Sequence, residues 1–270
     1  MIKKTFSNFS LAQIYESGQC FRFNRLDEYR FELIAMGKYL KLEQYPNSTE
    51  CSFDCSETDF LQIWKEYFDL ERNYELFANN PAATGYLKQA MNFGWGIRIL
   101  KQDLWEMIIS FIISQQNNIP RIKSCIETLC TNYGEKKQTK DGKTYFTFPS
   151  PKALSQVTEE QFRSLHFGYR SPYLVKTIQY ILQGEPDVST IKTLNYEEAK
   201  KSLLKLSGVG DKVADCICLF ALHHFDAFPI DTHIRQILEQ HYPAGFPFEQ
   251  FSGYLGIIQQ YLFYYHWKTK

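Results

Sequence analysis

At 270 residues, with 44% hydrophobic and 16% aromatic side chains, the chain can bury a full core in two or three subdomains. Thirty basic residues balance thirty acidic ones, which excludes indiscriminate coating of a polyanion and leaves room only for a local basic patch. No apolar run reaches the length of a membrane span, and Met1 to Phe6 lacks the apolar stretch of a secretory signal, so an intracellular, membrane-free chain is expected.

The first part of the chain carries the β-signals. Cys20 to Phe23, Tyr29 to Ala35 and Tyr39 to Glu43 alternate or run apolar, with breaks at Asp27-Glu28 and Met36-Gly37 and a hairpin turn expected at Gly37-Lys38. Glu57 to Tyr67 has helical spacing through Phe60, Leu61, Trp64 and Tyr67. From about Ala83 the period becomes helical throughout. Helices are predicted over Ala83–Met91, Asp103–Ser114, Ile119–Tyr133, Pro151–Gln156, Glu159–Arg163, Ser171–Gly184, Tyr196–Leu206, Asp211–Leu222, Thr232–His241 and Phe248–Tyr265. A polar loop over Glu135–Ser150 separates two of them. The layout predicts an α+β, mostly α fold. A small N-terminal antiparallel β-subdomain with a helix (1–82) precedes a two-lobed multi-helix body (83–270) that contains a helix-hairpin-helix at 196–222.

Seven cysteines, at 20, 51, 55, 125, 130, 216 and 218, give no metal pattern: Cys51 and Cys55 lack a second pair, and no four-cysteine iron–sulfur run is present. They read as buried thiols, with no metal and no cofactor. The basic residues gather locally instead. Arg121, Lys123, Lys136, Lys137, Lys140 and Lys143 outnumber Glu127, Glu135 and Asp141, enough to touch a few phosphates.

The most informative segment is Leu206-Ser207-Gly208-Val209-Gly210-Asp211-Lys212. Gly208 and Gly210 allow a tight helix-to-helix turn at positive φ, and its N–H groups beside a helix N-terminus suit one DNA phosphate. Lys212 then opens the second helix. Asp231 follows Pro229-Ile230 and reads as the N-cap of the next helix. A lysine and a carboxylate shown by two helix starts can be a nucleophile and its partner, or a phosphate-binding turn and an ordinary cap. A lysine must shed its proton to attack, which burial and a helix N-terminus both favour.

Weaker signals surround this pair. Gln115, Gln116, Asn117 and Asn118 form a run of carboxamides able to meet base edges, or to end one helix before Pro120 starts another. Phe167-Gly168-Tyr169-Arg170 sets an aromatic ring and a guanidinium beside a glycine turn, fit for a wedge between base pairs or for the core. Gly18, before the first strand, allows close backbone approach to a ligand. Gln259 and Phe263 share one helix face, where an amide and a ring can read and stack a flat heterocycle or pack inward.

Together these segments resemble the 8-oxoguanine DNA glycosylase/lyase family of the helix-hairpin-helix superfamily. The likeness runs in order through Ser17-Gly18-Gln19-Cys20-Phe21-Arg22, Gly96 to Asp103, Ser110 to Ile122, Phe167 to Arg170 and Leu206 to His233. The resemblance implies excision of 8-oxoguanine from duplex DNA by nucleotide flipping, followed by strand nicking through a lysine Schiff base. It implies Lys212 as nucleophile and Asp231 as the essential acid. Gly18 would offer its carbonyl to the N7–H of the lesion, Cys216 and Phe263 would sandwich the base, and Gln259 would meet its Watson–Crick edge. Tyr169 would be the wedge, Arg121 and Arg170 would hold the orphaned cytosine, and His233 would lie near a phosphate. Gln116 departs from the asparagine of eukaryotic relatives that fills the vacated space. The enzyme would act as a monomer, with a monovalent cation at the hairpin as the one non-catalytic ion to consider. The alternatives are a glycosylase for another damaged purine and a non-catalytic hairpin module that only binds DNA.

Overall fold

The computed structural model describes residues 1–77 and 80–270. Five strands form an antiparallel sheet in the order β1-β5-β4-β3-β2: β1 (Ile2–Thr5), β2 (Phe23–Arg25), β3 (Arg30–Ala35), β4 (Lys38–Glu43) and β5 (Glu50–Phe53). The outer pair, β1 on β5, carried too little alternation to be read from sequence. The first strand expected, Cys20–Phe23, begins only at Phe23. Its earlier residues turn instead toward the helical body, where Gln102 Nε2 donates to the Gln19 carbonyl and Arg22 Nε donates to Glu127. The β3–β4 turn is centred on Met36-Gly37, both at positive φ, and not on Gly37-Lys38. Lys38 already pairs with Ala35, as a two-residue hairpin turn of this kind requires.

A short helix, α1 (Leu11–Glu16), lies between β1 and β2 and is capped by Ser10. Helical turns over 57–67 comprise α2 (Glu57–Asp59), a π-wound segment Phe60–Trp64 and α3 (Lys65–Tyr67). Phe60, Trp64, Tyr67 and Phe68 pack there with Phe9, Phe23, Phe31 and Phe53 in one aromatic core. Burial of such rings is the main stabilising term of so small a sheet.

A second core runs through the helices that follow: α4 (Gly85–Phe93), α5 (Leu104–Ser114), α6 (Ile119–Tyr133), α7 (Glu159–Ser164), α8 (Ser171–Gln183), α9 (Val188–Ile191), α10 (Tyr196–Leu203), α11 (Asp211–Leu222), α12 (Thr232–His241) and α13 (Leu255–Thr269). Three expectations fail here. Pro151–Gln156 makes only turns, with Leu154 N bonded to the Ser150 and Pro151 carbonyls and no helical ladder beyond it. Phe248–Tyr265 is not one helix but a 3-10 turn, Phe248–Phe251, followed by α13. Gly253 breaks it at φ +80°, and Asp226 captures the Gly253 N–H. The supposed polar loop contains a hairpin, β6 (Lys136–Gln138) with β7 (Thr144–Phe146), pinned to the sheet by the Lys41–Asp141 and Lys143–Glu32 ion pairs. Among the described residues no helix is long and apolar enough to cross a membrane.

A buried polar seam joins the sheet to the helices. Arg22, 2% exposed, donates from Nε to Glu127 at 2.8 Å and from Nη2 to the Phe146 carbonyl at 2.7 Å. Nearby, burial pushes the Glu106 carboxyl from 4.5 up to about 8, against the pull of Arg22. The fold therefore holds a proton that the unfolded chain releases. That stability is complete below the unfolded value and is lost as pH rises toward 8. Glu106→Gln is accordingly expected to raise the Tm at pH 8.5 by roughly 5 °C and to change it little at pH 4. Thermal melts at the two pH values check this; equal shifts at both would show that the carboxyl does not titrate in this way.

Candidate functional site

Two helix starts face one cavity of about 460 Å³. At the first, the chain leaves α10 through tight turns that end at Leu206, and Gly208 adopts φ +81°. Gly210 does not share that conformation. At φ −98° and ψ −179° it is extended and occupies the N-cap of α11. A Cβ on Gly208 would sit 2.8 Å from the Tyr173 side chain, so the turn needs glycine there for space as well as for φ. The carbonyls of Leu206, Ser207 and Gly208 accept from Val209 N, Thr177 Oγ1 and Gln115 Nε2. The turn is thus held from three directions, and Lys212 follows on the first turn of α11.

At the second start, Asp231 is extended and its Oδ1 accepts from Ile234 N at 2.8 Å. The expected cap is present, and the half-buried carboxylate also lines the cavity with Lys212. Lys212 Nζ lies 5.7 Å from the Phe111 ring centroid, a ring stacked on Phe220 and met edge-on by Phe21. Cys216, one turn beyond Lys212, is 4% exposed. Burial pushes its thiol up to about 11, while the Lys212 amine hydrogen-bonded to it pulls the other way. At neutral pH this thiol is protonated and a poor nucleophile.

The far wall comes from α13 and the Ser17–Gln19 turn. Gln259 is buried, donating to the Pro229 carbonyl at 3.1 Å and accepting from Gln260 at 3.1 Å. Phe263 is half-buried, met edge-on by His233 at 5.7 Å, with Trp267 parallel to it at 6.4 Å. Gly18 has φ +73°, and a Cβ added there would lie 3.4 Å from the Ile119 side chain. Its neighbours fix it. Gln19 donates to Ser17 Oγ and the Arg98 carbonyl and accepts from Leu100 N at 2.7 Å. Sequence reasoning assigned no role to Phe111, Gln19, Gln260 or Trp267. Helical rings and amides carry no signal that separates a pocket wall from core.

The cavity gathers Lys212, Asp231, Gly18, Cys216, Gln259, Phe263, His233, Asn117 and Asn118. Gln116, Arg121, Tyr169, Arg170, Gly208 and Gly210 lie outside its walls. Of the four carboxamides only Gln116, at φ +46°, projects freely as an exposed side chain. Gln115 and Asn117 donate to backbone carbonyls, and Asn118 caps α6 through Arg121 N. Arg121 is exposed on the first turn of α6. Arg170 is 4% exposed, its guanidinium bound to the Gln115 and Gln116 carbonyls, and Tyr169 OH donates to the same Gln115 carbonyl at 2.9 Å. Here both side chains brace the loop that displays Gln116, while the Tyr169 ring stays 43% exposed. The basic patch is partly consumed: Lys137 and Lys143 are ion-paired, and Lys123 donates to Asn24. Among the described residues no cluster of three or more His, Cys, Asp or Glu side chains can hold a metal ion.

A hairpin presenting a lysine beside a capping aspartate defines a class, and residues 109–245 match the family model of the HhH-GPD superfamily base excision DNA repair proteins. Residues 1–108 match the 8-oxoguanine DNA glycosylase N-terminal domain. An N-glycosylase/DNA lyase of Saccharomyces cerevisiae is 33% identical over 262 residues, 87% of this chain and 69% of the relative. The N-glycosylase/DNA lyase OGG1 of Arabidopsis thaliana is 31% identical over 249 residues, 87% of this chain and 67% of the relative. The crystal structure of Clostridium acetobutylicum 8-oxoguanine glycosylase/lyase, in complex with duplex DNA containing cytosine opposite 8-oxoG, superposes with a TM-score of 0.90. It is 35% identical, covering 100% of this chain and 98% of the other. The chain belongs to the 8-oxoguanine DNA glycosylase/lyase family.

Proposed function

We propose that this chain excises 8-oxoguanine from duplex DNA and then nicks the strand as an abasic-site lyase, inside the cell where its substrate lies. One observation carries the reading: the Lys212 amine and the Asp231 carboxylate line a single cavity walled by Phe263, Cys216 and Gln259. A purine inside a duplex is out of reach of such a pocket. The nucleotide must be flipped, at about a few kcal/mol offset by stacking and hydrogen bonds.

Within the cavity the base lies between Cys216 and Phe263 with its Watson–Crick edge to Gln259. The Gly18 carbonyl takes the N7–H. Guanine carries a lone pair at N7, so the same carbonyl repels it. The held turn at Ser17–Gln19 supports this role, and no described residue donates to the Gly18 carbonyl. As the C1′–N9 bond breaks, its electron pair leaves with the base and positive charge builds on the sugar, where Asp231 stabilises it. The Lys212 nitrogen lone pair closes on C1′ and the nitrogen sheds a proton; the C1′–O4′ bond then breaks, O4′ takes a proton as the sugar ring opens, and the nitrogen pair forms the protonated imine. Removal of a C2′ proton then expels the 3′ phosphate, and water releases the enzyme. Amine, carboxylate and water supply every step, so the reading asks for no cofactor. Outside the cavity, Gln116 fills the vacated space, Tyr169 wedges the stack, Arg121 and Arg170 face the orphaned base, and the Gly208–Gly210 turn takes a phosphate with His233 close by.

Excision from duplexes carrying 8-oxoguanine opposite each of the four bases, with and without alkali, tests this. Strand breaks are expected without alkali and more of them with it, because the alkali reveals abasic sites the lyase has left intact. Release of a methylated purine in preference to 8-oxoguanine would overturn the lesion, and binding without any excision would overturn the chemistry.

A further inference from the structure

Lys212 has a carboxylate on either side along its own helix, Asp211 next to it and Asp215 three residues on. Asp215 is 8% exposed, where a carboxylate without a partner is strongly destabilising. Its partners come from the other helix of the hairpin. Lys200 Nζ stands 2.9 Å from Asp215 Oδ1, and Tyr196 OH donates to the same oxygen at 2.6 Å. The Lys200 amine also reaches Asp211 at 3.7 Å. Tyr196 and Lys200 are four residues apart on α10, as Asp211 and Asp215 are on α11. The two helices are therefore clasped turn against turn. Burial works against the Lys200 charge, yet the bond and charge of Asp215 outweigh it and leave Lys200 raised.

Residues three apart on a helix are surface neighbours, so the Asp215 charge lies within reach of the Lys212 side chain. A bare carboxylate there would hold a proton on the amine, and only the free amine attacks. We propose that Tyr196, Lys200 and Asp215 form a charge-balanced positioning clasp for Lys212. It fixes the rotation of α11 that aims the amine into the cavity, and Lys200 cancels the carboxylate that would keep the amine protonated. The inference rests on Lys212 being the nucleophile. Lining the cavity with that amine are Cys216 from its own helix and Asp231 and His233 from the start of α12, while Asp215 lies three residues further along α11. Facing Asp215 are Lys200 and Tyr196 from α10, with Asp211 and Cys218 on its own helix.

The clasp makes a prediction that loss of packing does not: its two charged members, removed singly, shift the chemistry in opposite directions. Borohydride trapping of the imine on a duplex with a preformed abasic site is followed against pH. Lys200→Met leaves Asp215 bare and is expected to move the trapping midpoint up by about half a pH unit; Asp215→Asn leaves Lys200 bare and moves it down by a similar amount. The shift is modest because the Lys200 side chain is 21% exposed to screening solvent. The double variant returns the midpoint to wild type. Tyr196→Phe, which removes a hydrogen bond and no charge, keeps the midpoint and lowers the trapping rate about threefold. Should Asp215→Asn fail to fold, Lys200→Met against the charge-keeping Lys200→Arg decides, since only the first shifts the midpoint. Single variants that shift together, or not at all, overturn the clasp, provided Lys212→Gln yields no adduct. An adduct that survives in Lys212→Gln overturns the nucleophile instead.

Discussion

Lys212→Gln is expected to abolish the borohydride-trapped protein–DNA adduct and to lower strand nicking by at least about 10³-fold. The side chain is half-buried over the Phe111 ring, and glutamine fills most of the same space, so the fold should lose less than about 1 kcal/mol. The nearby thiol offers no substitute. With Cys216 pushed up to about 11 by burial, fewer than about one thiol in a thousand is ionised at neutral pH. Duplex binding should persist, because the turn at Gly208, which we propose takes a phosphate, is held by Thr177 and Gln115 and not by the lysine side chain. Gel shifts with a lesion duplex, run beside the trapping assay, separate the two effects. A variant that binds but still crosslinks would move the nucleophile elsewhere.

The parts of the site that were legible in sequence are those where backbone geometry constrains residue type. A glycine turn opening a helix and a proline before an aspartate are local events, and the structure keeps both, with Gly210 extended where positive φ was expected. The pocket wall is different. Gly18, Gln259 and Phe263 are ordinary turn and helix residues until the fold brings α13 and the Ser17–Gln19 turn to the same cavity, so their spacing fits core as well as pocket and the family resemblance gives them their roles. Gln19 shows why. Its importance lies in bonds to Arg98, Leu100 and Gln102, some eighty residues away, which no local pattern encodes. The same reason hid the β6–β7 hairpin. Lys136–Gln138 is polar and too short to show alternation, and the hairpin is positioned by long-range contacts: ion pairs to Lys41 and Glu32, Tyr145 against Tyr39, and Phe146 against the helical core. Arg170 adds a contact that no local pattern encodes, since the guanidinium expected at the DNA also holds the carbonyls of the loop that displays Gln116.

Asp231 has two roles that a pair of substitutions pulls apart. As a cap it accepts from Ile234 N, and asparagine does this about as well as aspartate. As a carboxylate it is proposed to stabilise the positive charge that develops on the sugar, which asparagine cannot do. Asp231→Asn should therefore lower base excision by about 10²- to 10³-fold while stability falls only by the charge–dipole share, about 0.3–1 kcal/mol. Asp231→Ala should show the same loss of excision and a further loss of about 1 kcal/mol from the missing cap. Single-turnover excision and denaturant melts on both variants measure the two quantities independently. On a preformed abasic site, where the glycosidic bond is already broken, Asp231→Asn should lose far less of its imine trapping than of its excision, because the oxocarbenium-like stage is bypassed. Wild-type excision by Asp231→Asn would reduce the residue to a cap. Equal losses in excision and in trapping would instead place the carboxylate in the lysine chemistry, with the charge on the sugar stabilised by other means.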